Sequence, residues 1–391
     1  MEQVSFSRKI LVSRWLTKPF PVGVHVYRIE RSPKVGKLLS PWAIKRIRAS
    51  NKCDQKDMIT SRLLEEANIL KQLDHPNIVG YRGSKVLADK RVILAMENCD
   101  TSLGDVLQSR HDEASGPLES LKIKKMALDI CRGLDYLHTK AFILHGDIKS
   151  FNILIKGDYE LCKLCDFGVS LPLNEEGYLD LVKKPQAEYT GTDLWSAPEV
   201  FNECAEDVSS KCDIFSFGLV IYECIALQPP HSDQLNNDGD DGEIIDADAS
   251  VSSDQQKSLK AAKLSFNETM ESDCSENKEN ETSLNSMEES LDDSTVDGNG
   301  LEQYLGTRPA IPDAYELPQD YNIVMEIFFI CTNELPENRP NAGYIANHLA
   351  GVLEKWCCQM CRNPKRITFL YYEWHLRCFL YLIYKNGSVY D

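Results

Sequence analysis

A chain of 391 residues with 42% hydrophobic content can bury a sizeable core, as one large domain or two to three small ones. Its formal net charge of −17 comes without a basic stripe, which argues against nucleic-acid binding. The charge is concentrated: residues 231–300 hold 19 Asp+Glu against 4 Lys+Arg, while residues 351–391 hold 6 Lys+Arg against 3 Asp+Glu.

Residues 1–21 form a moderately basic N-terminal extension with no confident element. Met1 to Phe20 shows neither a continuous apolar core nor a small-residue cleavage site, so no signal peptide is expected. The 14 dispersed Cys read as reduced thiols, and a cytoplasmic or nuclear location is expected. Alternation at Val22, Val24 and Val26 predicts a strand to Glu30, and a turn-rich piece leads to a second strand, Trp42 to Ile47. Leu63, Ala67, Leu70 and Leu73 lie near one face of a helix predicted over 58–73, which His75-Pro76-Asn77 stops. Strands follow at 78–84 and 91–96. A helix is predicted over 121–140, then a hairpin from Ile153-Leu154-Ile155 and Leu161 to Leu164. Strands around one helix, followed by a mostly helical remainder, imply two lobes of different class.

Two later segments read differently. Residues 231–300 carry few aromatics and many Asp, Glu, Ser and Asn, too little apolar surface to offset chain entropy, so disorder is expected. Ser286 and Ser290 each have an acidic residue three positions on, which suits acid-directed phosphorylation; a solvated acidic spacer is the plainer reading. The tail, 351–391, is rich in Cys and aromatics. Cys358, Cys361, His375 and Cys378 could supply four zinc ligands. The stretch 367–384 could touch a membrane, but Glu373, His375 and Arg377 interrupt it, so no transmembrane span is expected. An extension with neither role is the preferred reading. Cys162-x-x-Cys165, on a strand and lacking partners, reads as core cysteines.

The chemistry concentrates in His145-Gly146-Asp147-Ile148-Lys149-Ser150-Phe151-Asn152. Asp147 could accept a hydroxyl proton, Lys149 could steady a phosphate, and Asn152 could bind a metal ion. Fourteen residues after Asn152 stands Asp166-Phe167-Gly168. This ordered pair resembles the catalytic loop H-R-D-x-x-x-x-N and the D-F-G motif of protein kinases, with Gly146 where the Arg should be. Ala43-Ile44-Lys45 resembles the V-A-I-K strand, and Glu66 stands where the kinase helix places the partner of that lysine. Ser196-Ala197-Pro198-Glu199 matches A-P-E, with Arg339 as the implied partner of Glu199, and Asp213 resembles the aspartate that ties down the catalytic loop. The wording of these motifs is similar to a mitogen-activated protein kinase kinase-like branch.

The resemblance, over residues 22–230 and 301–350, implies an α+β, bilobal protein kinase fold. A small β-rich N-lobe with one helix would span 22–97 and a larger, mainly helical C-lobe 100–350, interrupted by the acidic insert. It implies ATP and Mg²⁺ as cofactors. Asp147, Lys149 and Asn152 are the catalytic set, with Asn152 and Asp166 holding the metal ion. Val26, Ala43, Lys45, Glu66, Met96, Glu97, Cys99, Leu154 and Asp166 line the nucleotide site, with backbone groups of the 96–99 hinge on adenine. Implied partners are protein substrates, MAP kinases among them. Tyrosine transfer in addition to Ser/Thr transfer stays open by analogy with kinase kinases. PDZ-domain binding is not expected, because the chain ends Ser388-Val389-Tyr390-Asp391 without that branch's terminal valine.

Two departures bear on function. The glycine-rich roof G-x-G-x-x-G-x-V, counted back from Val26, holds Pro19, Pro21 and Val24 at its glycine positions and retains only Gly23. Proline offers no N–H to a phosphate. A pseudokinase acting as a binding or scaffold protein is therefore the rival to an active Ser/Thr kinase. Gly146 also removes the arginine that reads a phosphorylated activation segment, so phosphate on Tyr189, Thr190 or Thr192 is expected to matter less than usual. Thr192 itself reads as steadying the catalytic loop.

Overall fold

The computed structural model describes residues 24–29, 41–47, 53–87, 91–202, 204–232, 302–312 and 316–361. Gly23, Pro19 and Pro21, most of the acidic insert with Ser286 and Ser290, and the tail beyond residue 361 with His375 and Cys378 lie outside them. No described helix is long and apolar enough to cross a membrane.

The first four strands, β1 (Val24–Ile29), β2 (Trp42–Ile47), β3 (Tyr81–Val86) and β4 (Val92–Glu97), form an antiparallel sheet of order β1-β2-β4-β3. Val26 pairs with Lys45, and Ala43 pairs with Met96. Directly opposed residues share a face, so Val26, Ala43, Lys45 and Met96 stand together on one side of the sheet. Helix α1 (Cys53–Gln72) packs on the sheet through Leu63, Ala67 and Leu70, spaced for a single helical face and all buried. It begins five residues before the predicted start because Cys53-Asp54-Gln55-Lys56-Asp57 carries no apolar periodicity to read. The third strand also starts later than predicted. Ile78 instead makes a parallel bridge to Leu164, and Val79 N–H donates to the Leu164 carbonyl at 2.9 Å, so this apolar pair seals the junction between the lobes.

The remainder is mainly helical: α2 (Leu103–Asp112), α3 (Ser120–Tyr136), α4 (Lys211–Ala226), α5 (Asn322–Cys331) and α6 (Ala342–Cys361). Two-residue strands β5 (Thr101–Ser102), β6 (Ile143–Leu144) and β9 (Leu171–Pro172) accompany the hairpin β7 (Ile153–Lys156) and β8 (Leu161–Leu164). The helix predicted over 121–140 keeps α-helical bonding only to Tyr136. A wider π turn, Leu137–Ala141, follows and closes at Phe142 with φ +53°. That turn carries His138 to within 2.8 Å of Asp213.

Every residue of α4 from Cys212 to Ala226 is buried, as expected of a helix apolar on nearly all sides. It is the axis of the large lobe. One apolar core runs from Leu63 and Leu70 through Ile130, Leu164 and Phe217 to Leu349, and a second, around Leu171, Trp195 and Phe215, lies beneath residues 171–200. Each fully buried Leu or Phe contributes about 1.5–3 kcal/mol.

Candidate active site

Lys45, Glu66 and Asp166 meet where β2, α1 and the segment after β8 converge. The Lys45 ammonium lies 2.9 Å from Glu66 Oε2 and 2.8 Å from Asp166 Oδ1, with Lys45 and Glu66 almost wholly enclosed. Burial works against the ammonium, but Asp166 and Glu66 override it and hold its pKa above the ordinary lysine range. Burial pushes the Glu66 carboxyl up to about 7, with Lys45 opposing. Asp166 is also disfavoured as an anion by burial, yet Lys45 keeps it below the usual carboxylate value. Asp166 adopts φ +65°, a left-handed conformation costing on the order of 1 kcal/mol in a non-glycine residue. Phe167 anchors that turn: its ring is fully buried, 4.9 Å from the His145 ring.

The catalytic loop hangs from α4. Asp213 accepts the N–H groups of His145 and Gly146, both at 2.9 Å. His145 Nε2 donates to the Cys165 carbonyl at 3.0 Å, which leaves Nδ1 to accept the Asp147 N–H at 3.3 Å. Asp147 is then fixed on three sides. Asn152 Nδ2 donates to its Oδ2 at 2.8 Å, Lys149 lies 3.2 Å from the same oxygen, and the Thr192 hydroxyl donates to Oδ1 at 2.6 Å. Lys149 also donates to Thr192 Oγ1 at 2.8 Å, so the activation segment contributes a member of this cluster, as expected for Thr192.

The donor set suits a hard divalent cation. The Asn152 amide nitrogen bonds both the Asp147 carbonyl, at 2.7 Å, and its carboxylate, which turns its amide oxygen into the remaining ligand. Lys45 and Gly168 both bond Asp166 Oδ1, and neither bond uses Oδ2. Two oxygens from an amide and a carboxylate are the ligand type Mg²⁺ takes alongside phosphates.

The other predicted nucleotide-site residues separate into two groups. Val26, Ala43 and Met96 stand on the Lys45 face of the sheet, and Leu154 is half-buried on β7. Cys99 is buried in the hinge, its thiol pushed up to about 12 by burial. The Glu97 side chain is committed elsewhere. It lies 2.8 Å from Lys156 and 3.1 Å from Lys163, which stand on one face of the β7–β8 hairpin, so this carboxylate latches the two lobes behind the hinge. Only its backbone remains for a ligand. Cys162 is a buried core thiol, and burial raises both it and Cys165 well above the ordinary range.

Glu223 was not apparent from the sequence. Buried on α4, it accepts from Trp195 Nε1 at 2.8 Å, from Ser150 N–H at 3.2 Å and from the Ser150 hydroxyl at 2.5 Å. It thereby joins the catalytic loop to the activation segment. Burial pushes its carboxyl up to about 7. A carboxyl raised in the folded state contributes stability below its unfolded pKa, near 4.5, and loses it as pH rises through 7. In Glu223→Gln the amide oxygen takes the Trp195 and Ser150 N–H donors, while its nitrogen donates to Ser150 Oγ. We expect this variant to fold, and its melting temperature relative to wild type to rise between pH 5 and pH 8. Parallel melting curves across that range would exclude titration of Glu223.

These elements and their spacing are those of a phosphotransferase of the protein kinase fold. The protein kinase domain family matches residues 36–290. The lymphokine-activated killer T-cell-originated protein kinase of Homo sapiens is 37% identical over 331 residues, covering 84% of this chain and 87% of the relative. The probable serine/threonine-protein kinase drkC of Dictyostelium discoideum is 34% identical over 190 residues, 48% of this chain and 24% of the relative. A serine/threonine-protein kinase of Saccharomyces cerevisiae is 33% identical over 201 residues, 50% of this chain and 28% of its own length. The chain belongs to the protein kinase family and is of the serine/threonine type.

Proposed function

We propose that this chain transfers the γ-phosphoryl group of ATP to serine and threonine hydroxyls of protein substrates. The observation that carries this reading is the adjacency of two groups, Lys45–Glu66–Asp166 and Asp147–Lys149–Asn152, which the Cys165 N–H bond to the Asn152 carbonyl and the field of Lys149 on Asp166 bring together. Asp147 orients the substrate hydroxyl and accepts its proton as the new O–P bond forms and the bond to the β-phosphate oxygen breaks, releasing ADP. Lys45, set by Glu66, grips the nucleotide phosphates, and Lys149 offsets charge on the transferring group. Asn152 and Asp166 hold Mg²⁺, which, when bound, offsets the charge of the phosphates. Val26, Ala43, Met96 and Leu154 would line the adenine site, with backbone groups from Glu97 to Cys99 to hold its edge.

Within that class we place the chain with kinases resembling mitogen-activated protein kinase kinases, acting in the cytoplasm or nucleus, with MAP kinases as candidate substrates. What supports this finer placement is the wording of the motifs from His145 to Ser150 and from Gly168 to Leu173. Transfer to tyrosine as well is the corresponding extension. The rival, a pseudokinase scaffold, rests on the sequence alone: Pro19 and Pro21 occupy two of the glycine positions counted back from Val26.

Thermal denaturation of the full chain separates the two. At Mg·ATP a hundredfold above its Kd the folded state gains about 2.7 kcal/mol, which for a domain of this size raises the melting temperature by roughly 5–10 °C. No shift at millimolar Mg·ATP favours the scaffold.

A further inference from the structure

The activation segment is fastened by its own backbone and side chains. Leu173 bridges Leu179, Tyr178 bridges Ser209, and Asp180 caps the N–H groups of Val182 and Lys183. Its lysines are engaged by acids: Lys183 with Asp180 at 3.0 Å, and Lys184 with Glu65 at 3.7 Å. The tightest contact involves two glycines. Gly146, at φ +78°, presents its carbonyl to Gly191 so closely that a Cβ on Gly191 would lie 2.4 Å from that oxygen. The same Cβ would lie 2.7 Å from both Cε1 and the hydroxyl of Tyr189, whereas a Cβ on Gly146 would first meet the Val169 carbonyl oxygen, at 3.3 Å. The Tyr189 ring thus fills the space beside Gly191, over the apolar cluster of Trp195, Cys212 and Phe215. Immediately after Gly191 comes Thr192, the residue that donates to Asp147.

We propose that Tyr189 is a positioning residue for Asp147. Its ring, packed against Gly191, seats Thr192 on the Asp147 carboxylate. The Tyr189 hydroxyl is driven well above the ordinary phenol range by burial, with the Cys212 and Asp213 fields adding to it and a hydrogen bond with Ser196 opposing. The inference rests on the kinase reading.

The test uses the full-length chain, with ADP release measured on a mixed serine/threonine peptide pool. Tyr189→Phe keeps the ring and should retain wild-type kcat within about twofold. Tyr189→Ala frees Thr192 and should lower kcat by roughly 100-fold with KM for ATP nearly unchanged, because a displacement of about 1 Å costs that much. Tyr189→Leu, which keeps apolar bulk without the flat ring, should lose at least about tenfold and serves if the alanine variant does not fold. Alanine or leucine variants as active as wild type overturn the proposal. Wild type no more active than Asp147→Ala in the same assay overturns the kinase reading itself.

Discussion

Replacing Asp147 by Asn is expected to lower kcat by roughly 10²–10⁴-fold while the chain stays folded, the contribution typical of a positioned general base. The side chain is surrounded by donors: Asn152 Nδ2, the Lys149 ammonium and the Thr192 hydroxyl. An amide of the same shape keeps one acceptor oxygen for them but cannot take up a substrate proton. It also turns an NH₂ group toward donors, so Thr192 must reverse its hydroxyl while still accepting from Lys149. The cost to folding should be small, because Asp147 is partly solvated. Phosphate transfer at saturating Mg·ATP, alongside a melting curve, separates the two effects. Transfer within about threefold of wild type would remove Asp147 from the chemistry.

Lys45→Met is expected to abolish transfer as well, for a different reason. It leaves Glu66 and Asp166 as two enclosed carboxylates without their shared cation, so Asp166 loses the contact that keeps it ionised. This variant should melt earlier than wild type and gain less from Mg·ATP. Asp147→Asn is the cleaner probe.

The site was legible in the sequence where chemistry dictates linear spacing. Asp147, Lys149 and Asn152 must lie on one short loop, and Asp166 on the turn after the next hairpin, so their order carries information without any tertiary knowledge. Lys45 and Glu66 were legible only through resemblance, since nothing in a strand or helix pattern says that these two meet. Glu223, Trp195 and Ser150 were not legible. Their union depends on α4 being buried on all sides, so that a glutamate on it faces protein instead of water. Glu97 looked like a hinge residue and is one, but its ion pairs follow from the alternation of the β7–β8 hairpin, which turns Lys156 and Lys163 toward the other lobe. Early α1 and the π turn at Leu137 escaped for local reasons: polar residues hide a helix start, and one wider turn leaves the apolar spacing intact.

Arg339→Ala is expected to be the most destabilising single change in the large lobe. The guanidinium is 1% exposed, and all five of its N–H groups are used. Two form a fork on Glu199, at 2.6 and 2.9 Å; the others reach the carbonyls of Asn333, Lys211 and Glu334 at 2.6, 3.1 and 2.8 Å. Its plane lies 4.9 Å from the Phe215 ring centroid. Removing it strands a buried carboxylate and three carbonyls, a loss of roughly 3–5 kcal/mol, or about 10 °C in melting temperature for a domain of this size. Arg339→Lys should recover little, because one ammonium cannot reproduce the fork. The double variant Glu199→Leu/Arg339→Met distinguishes the charge from the carbonyl network. If the unpaired carboxylate dominates, the double variant melts well above Arg339→Ala; if the three carbonyls dominate, it does not. Both should lose transfer, since Glu199 fixes the end of the segment that carries Thr192 and Trp195. A melting temperature for Arg339→Ala within about 2 °C of wild type would show that this fork is dispensable to the fold.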